Sequence, residues 1–295
     1  MHYYVFNGDA DGIIAFVQLE LAQLKQARLS ATKQSESKLI TGVKRDIALL
    51  KHVDVEQADK VTVLDISMEK NITALKPLLA NDIQVFYVDH HRTGEHFDSV
   101  KDHDNLTAII DLDANTCTSL LVNNYLQDSY FLWAIAAAYG DNMTVSAETL
   151  ADKHEVSLND RQFLKALGIY VNYNGYGRSV DDLHFSPAAL AQLLVEYENP
   201  LSLRDDHAST YYVLEKAYLQ DMERANQATV HFDSDVGKVI ELPNEAWSRR
   251  VSGVLGNELA NSAPDKAHAV LTKNEDESYT VSVRAPLNNK QGADN

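Results

Sequence analysis

Ile83-Gln84-Val85-Phe86-Tyr87-Val88-Asp89-His90-His91-Arg92 is the stretch on which the fold and the chemistry of this chain turn. From Ile83 to Val88 the residues are mostly β-branched or aromatic, which predicts a short buried strand. That strand runs directly into one carboxylate and two imidazoles. Such a set is costly to gather at a strand's C-terminal edge unless something cationic sits among them. Working outward, three further carboxylates fall in equivalent places. Asp9 and Asp11 follow the apolar run Tyr3–Phe6 within a short turn, and Asp65 follows Lys60–Leu64.

The segments between these runs predict helices. Asn7-Gly8-Asp9-Ala10-Asp11-Gly12 reads as a turn, followed by an amphipathic helix from Ile13 to Leu24. Gln26 to Lys38 is polar and predicts a loop or a frayed helix end. Leu39–Val43 predicts a strand, Asp46–His52 a short helix, Ile72–Leu79 a helix and Leu106–Asp111 a strand. Thr116 or Thr118 is expected to cap a helix over Ser119–Tyr125. Strands alternating with helices predict an α/β fold with a doubly wound parallel sheet. Sheets of this kind place function at the C-terminal ends of their strands. A single Asp after a strand is readily explained as a helix cap. Two, at Asp9 and Asp11, weaken that explanation, because neighbouring carboxylates repel unless a cation or proton lies between them.

Further along, Tyr130–Tyr139 is apolar and Ala-rich and predicts a buried helix ending at Gly140-Asp141-Asn142. Ala147–Tyr170 predicts a partly exposed helix. Val171–Ser179 predicts a loop whose Tyr173 and Tyr176 stack on a base and whose Arg178 meets a phosphate; an ordinary surface loop explains the composition equally well. Helices are expected from Pro187, with Leu190, Leu193, Leu194 and Tyr197 at apolar spacing, and again over Tyr211–Ala228. The pattern then changes to short strands at Thr229–Phe232, Gly237–Leu242, Ala267–Leu271 and Tyr279–Val283, with a helix at Arg250–Asn261. This predicts a catalytic domain over 1–195, a helical connector over 196–228 and a small mixed α/β domain over 229–295.

The chain has 295 residues and a formal net charge of -17. Such acidity argues against a protein that tracks a long phosphate backbone, which wants a basic stripe. It leaves room for a small anionic substrate, because divalent cations invert the field locally. No apolar run reaches the roughly 20 residues needed to cross a bilayer, the N-terminus lacks a signal-peptide pattern, and there is a single cysteine, Cys117. These features lead us to expect a soluble, cytoplasmic protein without disulfides. Several Asp with one or two His suit a hard or borderline ion such as Mn²⁺ or Mg²⁺. Four carboxylates from separate loops are more than one open ion needs. They suit two ions about 4 Å apart that clamp an in-line displacement at phosphorus. Spacing alone thus reaches a dinuclear hydrolase acting on a phosphoester.

Four patches together, Asn7–Gly12, Leu64-Asp65, Val88–His91 and Tyr139-Gly140-Asp141, resemble in order and spacing the signature motifs of the DHH phosphoesterase superfamily. Segment 229–295 resembles, less strongly, the start of its DHHA1 substrate-binding domain, with Ser282-Val283-Arg284 matching an arginine-bearing strand. The resemblance implies two manganese ions. Asp65 would bridge them, Asp9 would hold one, and Asp11, His90 and Asp141 the other. It implies that His91 contacts the scissile phosphate while Asp89 acts from behind it, and that Arg284 binds the far end of the substrate. Arg92, Tyr173, Tyr176 and Arg178 are the further candidates for substrate binding. Two departures stand out. Val5 occupies a position where several branches carry a metal-binding His, and no glycine-rich GGGH-like signature follows before the sequence stops at Gln291–Asn295, so either the second domain is curtailed or its tail lies beyond Asn295. In character the chain is similar to the short stand-alone enzymes that cleave dinucleotides such as pGpG and other very short oligoribonucleotides. A 3′,5′-bisphosphonucleotide phosphatase and a catalytically silent nucleotide-binding module are the alternatives. Neither long nucleic acid nor membrane is expected as a partner, and a homodimer is compatible with the reading.

Overall fold

A computed structural model describes residues 1–30 and 36–289. Its first sheet has five parallel strands: β1 (His2–Phe6), β2 (Ser37–Ile40), β3 (Lys60–Leu64), β4 (Gln84–Asp89) and β5 (Leu106–Ile110), in the order β2-β1-β3-β4-β5. The side chains sort by strand alternation. Tyr4 and Phe6 of β1 and Val88 of β4 enter one core with the helices α1 (Ala10–Ser30), α3 (Thr118–Tyr125), α4 (Phe131–Gly140), α6 (Leu158–Asn174) and α7 (Pro187–Val195). Tyr3 and Val5 of β1 and Val85 and Tyr87 of β4 enter the opposite core, which α2 (Met68–Ala80) covers. The expected doubly wound parallel sheet is present.

The second sheet, β6 (Thr229–Asp233), β7 (Gly237–Leu242), β8 (Ala267–Lys273) and β9 (Tyr279–Arg284), is mixed, with only the central β7–β8 pair parallel. The helix α9 (Ala246–Ser262) packs on it through Trp247, Val251, Val254 and Leu255. Tyr173 of α6 and Met222 and Ala225 of α8 (Thr210–Ala225) join that same core.

Several elements depart from the sequence-based expectations. The first helix is longer at both ends, beginning at Ala10 because Asp9 caps it. Its polar end runs to Ser30, and Gln26–Ser30 continue the helix with good helix formers facing water. Of the loop expected over Gln26–Lys38, residues 31–35 lie outside the described part. The segment Asp46–His52 forms only a 3₁₀ turn at Leu50–His52. The helix expected over Ala147–Tyr170 is two, α5 (Thr144–Lys153) and α6, separated where Ser157 caps the second by accepting from the Asp160 N–H. The start of the expected loop, Val171–Asn174, is the last turn of α6. α9 begins four residues before Arg250. The chain's last stretch, Gln291–Asn295, is outside the described residues. Among the described residues no helix is long and apolar enough to cross a membrane.

Candidate metal and phosphate site

Strand register brings the acidic residues together. Phe6 pairs with Leu64, and Leu64 with Val88, so β1, β3 and β4 end level with one another. The Asn7 N–H donates to Leu64 O (3.3 Å), and the Asp65 N–H to Val88 O (3.1 Å). Asp65 and Asp89 therefore emerge side by side, with the turn carrying Asp9 next to them. Asp65 has a φ of 57°, a conformation disfavoured for a non-glycine residue, which the surrounding bonds hold in place.

Asp9 sits at the N-cap of α1, its Oδ1 accepting from the Gly12 N–H at 3.1 Å. The capping explanation is thus correct for one of its oxygens. Asp11 does something the sequence did not reveal. Its two oxygens accept from the Thr118 and Ser119 N–H groups, both at 2.7 Å, so it caps α3 from another helix. Neither Thr116 nor Thr118 caps α3; the N-cap residue is Cys117, which makes no side-chain cap bond. The Thr118 hydroxyl donates instead to Asp65 Oδ1 (3.1 Å).

Asp141 reaches the site because α4 crosses α1 and α6 at very close range. A Cβ on Gly140 would lie 2.6 Å from Ala10 Cβ and 2.7 Å from Gly168 O. Gly140 is there for that approach rather than as a positive-φ helix stop.

His90 and His91 then face this group. His90 Nε2 lies 3.4 Å from Asp65 Oδ1 and 3.8 Å from Asp11 Oδ2. His91 Nδ1 is 2.7 Å from Oδ1 of the fully buried Asp89. That bond leaves the other nitrogen of this half-exposed ring free to meet a ligand. Two triplets have ligand atoms all within 4.8 Å of one another: Asp11, His90 and Asp141; and Asp65, His90 and His91.

The electrostatics are those of a crowded anionic crevice. Burial, then the charges of Asp11, Asp9, Asp141 and Asp89, push the Asp65 carboxyl well above the usual range. Asp141 is raised by burial too, against the attraction of Lys44. Burial also acts to raise Asp9, but the Lys44 charge and hydrogen bond hold it below its ordinary value. Of these carboxyls Asp65 and Asp141 are pushed toward the neutral form and Asp9 toward the charged one. For His91, burial favours the neutral ring, and the Asp89 bond and charge outweigh it, so its pKa is raised.

Lys44 is the residue that sequence reasoning missed. Its Nζ lies 2.6 Å from Asp9 Oδ2 and 3.4 Å from both Asp141 Oδ1 and Asn172 Oδ1. Its position, four residues past the end of the edge strand β2, is the one sequence cue, and a lysine there reads equally well as solvated surface.

The candidates for substrate binding divide. Tyr176 and Arg178 line a cavity of about 210 Å³ between the two sheets' domains, with Lys44, Arg45, Arg249 and Asn274. Arg178 pairs there with Glu275 at 2.8 Å. Tyr173 is not on that surface. It is fully buried, and its hydroxyl bonds Asp221 and lies 2.9 Å from His184 Nε2, so no ring face is open to a base. Its place in the last turn of α6 turns it into the core. Arg92 is exposed beside the His pair, its carbonyl accepting from the Ser67 hydroxyl. Arg284 is half-buried against α9, donating to Asn257 Oδ1 (2.8 Å), and is not among the residues lining the cavity.

Solved structures share this arrangement of elements. A DHH-domain protein described as a member of a family of ribosomal proteins superposes with a TM-score of 0.61 at 13% identity, over 97% of this chain and 73% of that one. The RecJ–Mn²⁺ complex from Thermus thermophilus gives 0.55 at 15% identity, over 96% and 44%. A pGpG-specific phosphodiesterase, PggH, from Vibrio cholerae gives 0.51 at 10%, over 99% and 85%. The chain has the DHH fold. No protein-family model and no curated protein sequence matches it.

Within the DHH fold the donor set here fits a divalent cation. Four carboxylates and His90 converge, burial and the neighbouring anions together push Asp65 up, and among the described residues the second oxygen of buried Asp89 has no partner. Each of the two triplets, Asp11 with His90 and Asp141, and Asp65 with His90 and His91, offers oxygen and imidazole donors of the kind such an ion takes.

Proposed function

We propose that this protein is a divalent-metal-dependent phosphodiesterase that hydrolyses linear dinucleotides and very short oligoribonucleotides to mononucleotides. The observation that carries this reading is the pairing of His91 with buried Asp89 at 2.7 Å, directly beside the carboxylates and His90. Mn²⁺ is the preferred ion, with Mg²⁺ the alternative. Such an ion, when bound, offsets phosphate charge and acidifies water.

The chain's own residues do the rest. Asp89 favours the protonated form of His91 and orients the ring, so that its outer N–H can donate to a non-bridging phosphate oxygen. Asp11, Asp65, His90 and Asp141 hold the cation. Arg178, Arg45 and Tyr176 receive the distal nucleotide in the neighbouring cavity. A cavity of that size beside an acidic surface suits a short substrate better than a continuous strand. The fold shared with a pGpG-specific phosphodiesterase supports the same choice.

The test is turnover of pGpG with Mn²⁺, compared at equal concentration with other dinucleotides, longer oligomers, 3′-phosphoadenosine 5′-phosphate, cyclic dinucleotides and pyrophosphate. Hydrolysis of dimers ahead of longer chains, lost in Asp65→Ala and His90→Ala, is expected. Faster release of phosphate from the bisphosphonucleotide would make the protein a phosphatase of that class instead. The Lys44–Asp9 ion pair favours one other reading, a module that binds nucleotides without cleaving them. Binding with no turnover of any substrate in the panel would establish that.

A further inference from the structure

The ligand set implied by the resemblance gives one of two ions to Asp9, and Asp9 is already engaged by an ammonium. Lys44 is built into that position. Its backbone N–H donates to Gly175 O at 2.8 Å, and the turn that carries it is closed by the Asp46 N–H donating to Val43 O at 2.8 Å. The Asp46 carboxylate accepts from the Val43 N–H at 3.2 Å. Just before it, Gly42 lies so close to Gly8 that a Cβ on Gly8 would stand 1.8 Å from Gly42 O. The two loops are thus pressed together, which brings Lys44 against Asp9.

From there the side chain, only a quarter exposed, reaches Asp9 Oδ2 at 2.6 Å and is flanked by Asp141 Oδ1 and Asn172 Oδ1. The Tyr176 ring stands 5.5 Å away. An ammonium with three donors finds three acceptors here, the set it needs when desolvated. A divalent ion binds oxygen at about 2.0–2.6 Å. Placed on Asp9 Oδ2, it would share that oxygen with the ammonium and be repelled by it at short range. Consistent with this, neither ligand triplet found among the described residues includes Asp9; both are centred on His90. Val5, whose side chain is fully buried in the core on the far side of the sheet, offers no replacement ligand.

We propose that Lys44 replaces one of the two divalent ions, so that this crevice binds a single ion, centred on His90 with Asp11 and Asp141 and next to Asp65, beside a fixed ammonium. The two positive charges that flank the phosphate then come from different sources, one exchangeable and one covalently part of the chain. This rests on the reading of the crevice as a divalent-cation site.

The experiment counts ions. The full chain, stripped with chelator, is titrated with Mn²⁺ calorimetrically, the retained metal is measured by elemental analysis, and the Mn²⁺ electron paramagnetic resonance spectrum is recorded. One ion per chain with a mononuclear six-line spectrum is expected. Lys44→Met, which keeps the stem and removes the charge, is expected to take up close to two ions and to show a spin-coupled spectrum. In the Lys44-containing protein, Asp141→Ala should weaken Mn²⁺ binding at least tenfold, whereas Asp9→Ala should change it less than threefold. Two ions in the wild type would overturn the proposal whether or not Lys44→Met folds, because the ammonium would then have yielded Asp9. One ion in both proteins would overturn it too, since Lys44 would not be what excludes the second. No Mn²⁺ binding at all would instead remove the metal-site reading on which the proposal stands.

Discussion

Asp89 and His91 work as a pair, and removing one changes the acid–base behaviour of the other. The folded-state pKa of His91 is raised by Asp89 against the effect of burial. A step that needs the His91 proton is therefore retained below that raised value and declines as pH climbs through it. In Asp89→Asn the counter-charge is gone while the shape is kept. We expect the alkaline limb of kcat/KM to move to lower pH and the rate near neutrality to drop by about 10²-fold, read from a pH–rate profile on a dinucleotide. Asp65 predicts a second pH dependence, of the metal-free protein. Its carboxyl is raised above the ordinary 3.8, so the folded state holds a proton that the unfolded chain has released. Stability contributed this way is complete below 3.8 and is lost as pH rises through the folded value. Asp65→Asn should flatten that loss and raise the melting temperature of the metal-free protein at neutral pH by a few degrees. The same variant should forfeit the gain from added Mn²⁺, about 2.7 kcal/mol at a hundredfold excess over Kd. Thermal melts across pH, with and without Mn²⁺, measure both effects. The individual residues of this site were mostly legible. Asp9, Asp11, Asp65, His90 and Asp141 were singled out because each follows a predicted strand or helix, a local property. Lys44 was not, since a lysine near an edge strand looks like solvated surface until the loop's path is known.

At the level of elements, the site depends on how closely three helices approach. α4 and α6 meet where Gly168 faces Ala136, and a Cβ on Gly168 would stand 1.9 Å from Ala136 O. Backbone cannot yield there as a flexible side chain would. Gly168→Ala should therefore push the helices apart at a cost of about 1–3 kcal/mol, lowering the melting temperature by roughly 2–4 °C per kcal/mol. Because Asp141 directly follows α4, its carboxylate would shift as well, and Mn²⁺ affinity should fall with stability. Calorimetric Mn²⁺ titration beside a thermal melt tests the linkage. Strands were the elements best foreseen, since alternation of buried side chains is written directly in β1, β3 and β4. Helix limits were less so. The start of α3 is set by Asp11, more than a hundred residues away, whose two oxygens take the Thr118 and Ser119 N–H groups. No local capping signal announces such a partner. Tyr173 was misplaced for a related reason: the polar composition of Val171–Ser179 suggested a loop, but packing of α6 against α8 and α9 extends the helix through Asn174.

Across the whole molecule, the small domain is held to the large one by a buried charged group. Arg250 of α9 contacts Asp221 of α8 at 2.8 Å and donates to the Tyr173 hydroxyl of α6 at 3.1 Å. Its Nη1 donates to Asp182 O at 2.6 Å. On the opposite end of α9, Asn261 reaches Asn142, next to Asp141, at 3.0 Å. α9 thus spans from the domain anchor to the rim of the site. Removing one partner of a buried ion pair leaves the other charge uncompensated, at a cost of about 3–5 kcal/mol. Asp221→Ala should lower the denaturant midpoint accordingly. It should also raise KM for a dinucleotide more than it lowers kcat, because the cavity lined by Arg178, Arg249 and Tyr176 is formed between the domains. Urea unfolding and steady-state kinetics on the same preparation check both parts.

By itself the sequence determined the parallel α/β sheet, the second run of short strands and the acidic and imidazole residues that follow the strands. These follow from side-chain alternation, helical spacing and turn chemistry, which act over a few residues. Only the tertiary structure decided which of those groups meet, that both oxygens of Asp11 also accept from the start of α3, that Tyr173 belongs to the core, and that Lys44 stands on Asp9. The reason is that each of these depends on contacts between segments tens to more than a hundred residues apart. Such contacts are set by strand register and by the close approach of glycines at Gly8, Gly140 and Gly168, and nothing in the local pattern around either partner encodes them.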